Sequence, residues 1–182
     1  MELLDIVDEN NQITAIKADR SEIHEKGLRH REISVVIMNH AKQILLQKRA
    51  AKKVAPNMWS LTAGHVESGE DVKQAAMRET EEEELGIRNL KLEDFKLIDI
   101  KKTMRSRGNH INNKFDYLFL LKTDKKINEF VLQETEVADV KYFSIDEIRE
   151  ICQNKDKYDL QFTGIFFEKY FWEILENLEN RN

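Results

Sequence analysis

Gly64-His-Val-Glu-Ser-Gly-Glu-Asp-Val-Lys-Gln-Ala-Ala-Met-Arg-Glu-Thr-Glu-Glu-Glu-Glu-Leu-Gly-Ile87 opens on a glycine turn, runs into a stretch crowded with glutamates and stops at Gly86. A helix is expected from about Asp71, with Gln74 three residues on completing a capping box, to the closing glycine. Val72, Ala75, Ala76 and Leu85 give it an apolar stripe. Five glutamates fall within six residues, Glu79 and then Glu81 to Glu84. Like charges one turn apart cost a helix roughly 0.2–0.5 kcal/mol per pair, so the crowding needs a cation or solvent to relieve it.

As helix positions, Glu79, Glu82 and Glu83 are spaced i, i+3 and i+4 and share one face. Convergent carboxylates are hard oxygen ligands of the kind that hold Mg²⁺ or Mn²⁺ rather than zinc. Mg²⁺ keeps several waters and completes its shell with substrate phosphates, which points to a polyphosphate substrate. The turn Gly64–Glu70 lets a backbone carbonyl approach the same ion, because glycine carries no Cβ to obstruct it. Taken alone, four consecutive glutamates read as a solvated acidic face.

Outward from this stretch, the pattern gives strands at Leu3–Val7, Ile13–Ala18, Glu32–Met38 and Gln43–Arg49, the last two joined as a hairpin through Asn39-His-Ala-Lys42. Further strands are expected at Leu90–Lys101, Lys114–Leu121 and Val137–Phe143, with Lys101–Lys114 a basic loop suited to covering a polyanion. Ser144 with Glu147 opens a helix to about Gln153. Apolar and aromatic residues at helical spacing predict a C-terminal helix over about 161–178. Its aromatic residues wrap most of the circumference and serve either the core or a homodimer face. Strands with few helices place the chain in the α+β class, and 182 residues without repeat or linker suit one domain over 1–182.

Composition narrows the function. A net charge of −5 argues against a general nucleic-acid binder, and 35% charged with 41% apolar residues is a soluble composition. No run approaches the roughly 18 apolar residues of a membrane span. The lone Cys152 rules out an intrachain disulfide and fits a reducing cytoplasm.

The spacing Gly64, five residues, Glu70, seven residues, Arg78-Glu79, then Glu82-Glu83 resembles the box of the Nudix (MutT-like) hydrolases. Pro56-Asn-Met-Trp-Ser-Leu-Thr-Ala-Gly64, Ile44-Leu-Leu-Gln-Lys-Arg49 and Glu136–Ile148 look like the same family, so the resemblance covers roughly residues 30–150. It implies an α/β/α sandwich around a mixed sheet and Mg²⁺-dependent (or Mn²⁺-dependent) pyrophosphohydrolysis of a nucleoside diphosphate linked to another group, X. By the same resemblance Glu79, Glu82 and Glu83 are the catalytic carboxylates and metal ligands, with the Gly64 carbonyl as a further ligand. Glu70 and Arg78 would brace the loop against the helix, and Arg49 and Lys53 would meet the substrate's phosphates.

One spacing departs from the family. Two residues, Glu84 and Leu85, stand between Glu83 and Gly86 where the family has one. Counting forward from Arg78 selects Glu82 and Glu83, and counting back from Gly86 selects Glu83 and Glu84. The forward register keeps the ligands on one face, and an extra helical residue is absorbed as a π-bulge or a shifted last turn. The N-terminal half also resembles the isopentenyl-diphosphate isomerase branch, through His24, Gly27-Leu-Arg-His-Arg31, Lys53, Trp59 and Gly64-His65. Histidines matching His24, His30 and His65 ligate a metal in those isomerases, but their proton-transferring cysteine is replaced here by Ala63. A hydrolase-type relative of that branch is therefore expected, with an isomerase-like enzyme and a catalytically silent nucleotide-binding module as the other readings.

Overall fold

The computed structural model describes residues 2–53, 55–87, 89–154 and 161–180. Strands β1 (Leu3–Val7) and β2 (Ile13–Asp19) lead through α1 (Arg20–Lys26) to β3 (His30–Met38) and β4 (Ile44–Arg49). Two short strands, β5 (Trp59–Ser60) and β6 (Thr62–His65), precede α2 (Val72–Arg78). The long strands β7 (Lys96–Arg107) and β8 (His110–Lys122) follow, then β9 (Val137–Phe143), α3 (Ile145–Gln153) and α4 (Lys169–Asn180). This is the α+β class with a mixed sheet.

The chain gathers into two compact units, and the first comprises residues 1–35, 63–79 and 90–120. In it β1 and β2 pair antiparallel, with Leu3 opposite Asp19 and Leu4 opposite Ala18. The following helix begins because the Asp19 carboxylate accepts the Ser21 and Glu22 N–H groups at 2.8 and 3.1 Å, and it ends at Gly27 with φ +66°. Leu4, Ala18 and Ile23 bury together beneath this hairpin and helix. Strand order continues β3-β8-β7, with β6 also paired to β3. On α2 the Asp71 side chain accepts the Lys73 N–H at 2.8 Å, Gln74 Oε1 accepts the Asp71 N–H at 3.3 Å, and Ala75 and Ala76 are fully buried.

Residues 36–62, 80–89 and 121–182 form the second unit. Here β4 pairs antiparallel with the end of β3, with β5 and with β9. An aromatic chain runs from Trp59 through Phe143, Phe162 and Phe166 to Phe171, with ring centroids 5.1–5.8 Å apart. Gly86 takes φ +59°, and a Cβ there would lie 2.7 Å from the Val131 carbonyl oxygen. The glycine that closes the box is thus required twice over.

Two expectations need correction. Lys101–Lys114 is not a covering loop: β7 and β8 pair from Lys96–Leu120 to Arg107–His110, with one bulge between Leu97 and Asp99, around Gly108-Asn109, with Gly108 at φ +59°. That dipeptide is a two-residue hairpin turn. The C-terminal aromatic segment is not one helix over 161–178 but a 3₁₀ turn, Gly164–Phe167, then α4. Trp59 donates its N–H to the Gln161 carbonyl at 2.7 Å and accepts from Thr163 at 2.9 Å, which holds Phe162 extended. Strand pairing has overridden helical spacing, and Glu168 is extended too.

Candidate active site and metal pocket

The box assembles first as a loop-and-helix clamp within the first unit. Arg78, the last residue of α2, donates Nε to Glu70 Oε1 and Nη2 to Glu70 Oε2, both at 2.9 Å. The same guanidinium donates Nη1 to Glu79 Oε1 and Nη2 to the His65 carbonyl, again at 2.9 Å. Those bonds, Glu70's first among them, raise the Arg78 pKa further. Glu79 is 6% exposed and lies so close to Gly64 that a Cβ added there would fall 2.0 Å from the Glu79 carboxyl carbon. Gly64, Glu70, Arg78 and Glu79 are therefore brought together as the family resemblance implied.

After Glu79 the backbone widens into a π-helix, Glu79–Glu84, which takes up the residue in excess of the family spacing. Glu82, Glu83 and Glu84 lie on this turn, and their side chains fall outside the described structure. In the second unit Arg49 ends β4, and Lys53 is ion-paired with Glu136. Cys152 is half-buried on α3 and in no disulfide.

A second constellation lies on the other face of β6, where His65 follows Gly64. His24 from α1, His30 and Glu32 from β3, and His65 are all buried, and one ligand atom from each lies within 4.8 Å of all the others. The outer ring nitrogens settle the tautomers. His30 Nδ1 faces the Leu28 carbonyl at 3.0 Å and His24 Nδ1 faces that of Ile111 at 3.2 Å, and a carbonyl only accepts. His65 Nδ1 lies 2.8 Å from the Glu2 carboxylate. Burial would raise the Glu2 carboxyl, but His65 and Arg20 hold it down at about 2, so it too accepts. With Nδ1 turned outward to an acceptor, each ring aims its Nε2 into the pocket.

Those nitrogens converge: His24 Nε2 is 3.0 Å from His65 Nε2, while His30 Nε2 and His65 Nε2 lie 3.3 and 3.4 Å from Glu32 Oε1. One proton can join two of these atoms, whereas a divalent cation satisfies them all. Burial keeps His24 neutral, with a pKa lowered to about 4 and the neighbouring His65 pushing the same way. Burial would also raise Glu32, but Lys114 and His30 hold it well below the usual carboxylate range. Lys114 Nζ donates to Glu32 Oε2 at 2.5 Å and lies 3.1 Å from Asp116, whose Oδ1 accepts from Ser34 at 2.9 Å. Three imidazole nitrogens and one oriented carboxylate, each braced from behind, make a donor set that fits a divalent metal.

The sequence pattern picked out the histidines but passed over Glu2, Glu32 and Asp116, and put Lys114 at the junction of the basic loop and the strand it opens. Glu32 carried the one available signal, a carboxylate opening a β-branched apolar run, since a buried charge requires partners.

A clamped glycine-loop and acidic-helix unit on an α+β frame defines a Nudix-class enzyme. Residues 28–162 match the NUDIX domain family, and the chain belongs to it. It is 33% identical over 182 residues to an uncharacterized Nudix hydrolase of Listeria monocytogenes, covering 99% of this chain and 96% of that one. It is also 33% identical over 185 residues to an isopentenyl-diphosphate Delta-isomerase of Pectobacterium atrosepticum, covering 97% and 96%. A Deinococcus radiodurans crystal structure shares the fold, with a TM-score of 0.65, 17% identity and coverage of 97% of this chain and 98% of that one. Among the described residues no helix is long and apolar enough to cross a membrane.

Proposed function

We propose that this chain is a Mg²⁺-dependent (or Mn²⁺-dependent) pyrophosphohydrolase that cleaves the diphosphate link of a nucleoside diphosphate joined to another group, X. The observation that carries the reading is the Arg78 clamp, which fixes the Glu79 carboxylate against Gly64 while bracing Glu70. Glu79, Glu82, Glu83 and the Gly64 carbonyl would hold the ion. Bound there, it supplies charge neutralisation for the diphosphate and an acidified water. The chain's own part is positional. Arg78 sets the Glu79 rotamer, one of the three glutamates takes the proton of the attacking water, and Arg49 and Lys53 bind phosphate oxygens once Lys53 releases Glu136.

The buried histidine pocket favours a second reading, an isomerase-like enzyme with a metal on His24, His30, His65 and Glu32. A nitrogen-rich set suits a borderline ion such as Zn²⁺ better than Mg²⁺. Ala63 on β6 weighs against isomerisation, because it offers no group to donate a proton to carbon. The hydrolase reading keeps the pocket as a second metal centre. A substrate panel of nucleoside triphosphates, dinucleotides, nucleotide sugars and CoA, assayed with Mg²⁺ for released phosphate, pyrophosphate or nucleoside monophosphate, tests it. Conversion of isopentenyl to dimethylallyl diphosphate would replace it with the isomerase, and silence with nucleotide-induced thermal stabilisation would replace it with a binding module.

We further propose a single Nudix domain over 1–182, acting in the cytoplasm on a small-molecule substrate without nucleic acid or membrane. The aromatic C-terminal segment would serve a homodimer face besides the core, and concentration-dependent sedimentation tests this.

A further inference from the structure

The three pocket imidazoles are not held alike. His24 and His30 are oriented by backbone carbonyls, whereas His65 is oriented by a side chain from the far N-terminus of the chain. Glu2 is tied down on both sides: its carbonyl accepts the Arg20 N–H at 3.0 Å and the next carbonyl, of Leu3, accepts the Ser68 N–H at 2.8 Å. Leu4 also bridges Glu67, so β1 is sewn to the loop that directly follows β6. The Glu2 carboxylate then spans a gap: Oε1 meets His65 Nδ1 at 2.8 Å and Oε2 accepts from Arg20 Nη1 at 3.1 Å. Glu2 and Arg20 line an open pocket of about 400 Å³ together with Asp19 and Ser21.

We propose that Glu2 is a positioning residue for His65: by accepting the Nδ1–H it fixes the tautomer that turns Nε2 into the histidine pocket, and so sets the pocket's affinity for a divalent transition metal. The metal half of this rests on the reading of His24, His30, Glu32 and His65 as a metal centre; the tautomer half does not. An outer partner of this kind is worth 10–100-fold in metal affinity.

The test uses the full chain stripped of metal. Co²⁺ is titrated by visible absorption into the wild type, Glu2→Ala, Glu2→Gln and, as the pocket control, His24→Ala, while histidine ¹⁵N NMR reads the His65 tautomer without metal. The wild type should show Nδ1-protonated His65 and a Co²⁺ band lost in the control. Glu2→Ala should move His65 toward the other tautomer and weaken Co²⁺ about 10–100-fold. Glu2→Gln, whose amide oxygen still accepts, should restore most of both at unchanged circular dichroism. An unchanged tautomer in Glu2→Ala, or Co²⁺ affinity equal to wild type, overturns the role of Glu2. A Co²⁺ response identical in wild type and His24→Ala overturns the metal centre instead, and the tautomer shift then decides Glu2 by itself.

Discussion

Arg78 and Glu70 meet as a paired fork, Nε on Oε1 and Nη2 on Oε2 at 2.9 Å each, across the turn that joins β6 to α2. A planar guanidinium makes both bonds at once, and a lysine ammonium cannot reproduce them. Arg78→Lys should therefore keep the charge but free the loop and Glu79 together. We expect kcat to fall about 10–100-fold, as loss of a partner behind a metal ligand does, with a stability loss of about 1–3 kcal/mol. Steady-state kinetics and urea unfolding read the two separately, and wild-type kcat in a destabilised protein would show the fork to be structural only.

Gly64 is required by space rather than by turn geometry. A methyl group there would fall 2.0 Å from the Glu79 carboxyl carbon and Oε1, which no contact tolerates, so the carboxylate must turn away. Displacement of a positioned group by about 1 Å can cost on the order of 10²-fold in rate. Gly64→Ala should lose about that factor in kcat with its circular dichroism intact, and Mg²⁺ saturation curves should shift to higher concentration. Retention of activity would remove Glu79 from the ligand set.

Much of the frame was legible because its signals are local. The strands Leu3–Val7 and Val137–Phe143 were placed residue for residue, and the capping boxes at Asp71 and Ser144 placed two helix starts. The clamp was legible for the same reason, since Gly64 to Glu79 is one continuous stretch. What escaped depends on contacts between distant residues. Helix α1 spans only seven residues, too few to show a period, and rests on its Asp19 and Gly27 caps. Phe162 is extended because Trp59 pairs beside it. Glu2 and His65 stand 63 positions apart, and Glu32 and Lys114 stand 82, so no spacing rule joins them.

Asp5 gives the acid response a sign. Its carboxylate accepts the Ser68 hydroxyl at 2.8 Å and the Gly69 N–H at 2.9 Å, tying β1 to the box loop. Burial would raise its pKa, but those bonds and Lys17 outweigh it and leave it below the ordinary value. A depressed carboxyl stabilises fully above the unfolded value of about 4, and its contribution is lost as pH falls through the folded value. Asp5→Asn should thus be less stable than wild type at pH 7, by about 1–2 kcal/mol, and the gap should close below pH 4. Thermal unfolding from pH 7 to pH 2 follows it. A gap that widens on acidification would contradict the assignment.

The π-helical turn Glu79–Glu84 bears on which glutamates act. A π-turn inserts one residue without disturbing the helix before it, so the register counted from Arg78 is kept through Glu79, and the excess is discharged before Gly86. The clamp fixes that forward end, because Arg78 holds Glu70 and Glu79 at once. On the forward register proposed here the ligands are Glu79, Glu82 and Glu83, and Glu84 falls beyond them. Glu82→Gln and Glu83→Gln should each abolish Mg²⁺-dependent turnover, since a neutral amide is a poor substitute for an anionic oxygen on a hard ion. Glu84→Gln should keep most of it. Kinetics of the three variants across Mg²⁺ concentration separate the registers: loss at Glu84 equal to that at Glu83, with Glu82→Gln active, would mean that the ligand face is set from Gly86 backward, with the bulge lying between Glu79 and the Glu83-Glu84 pair.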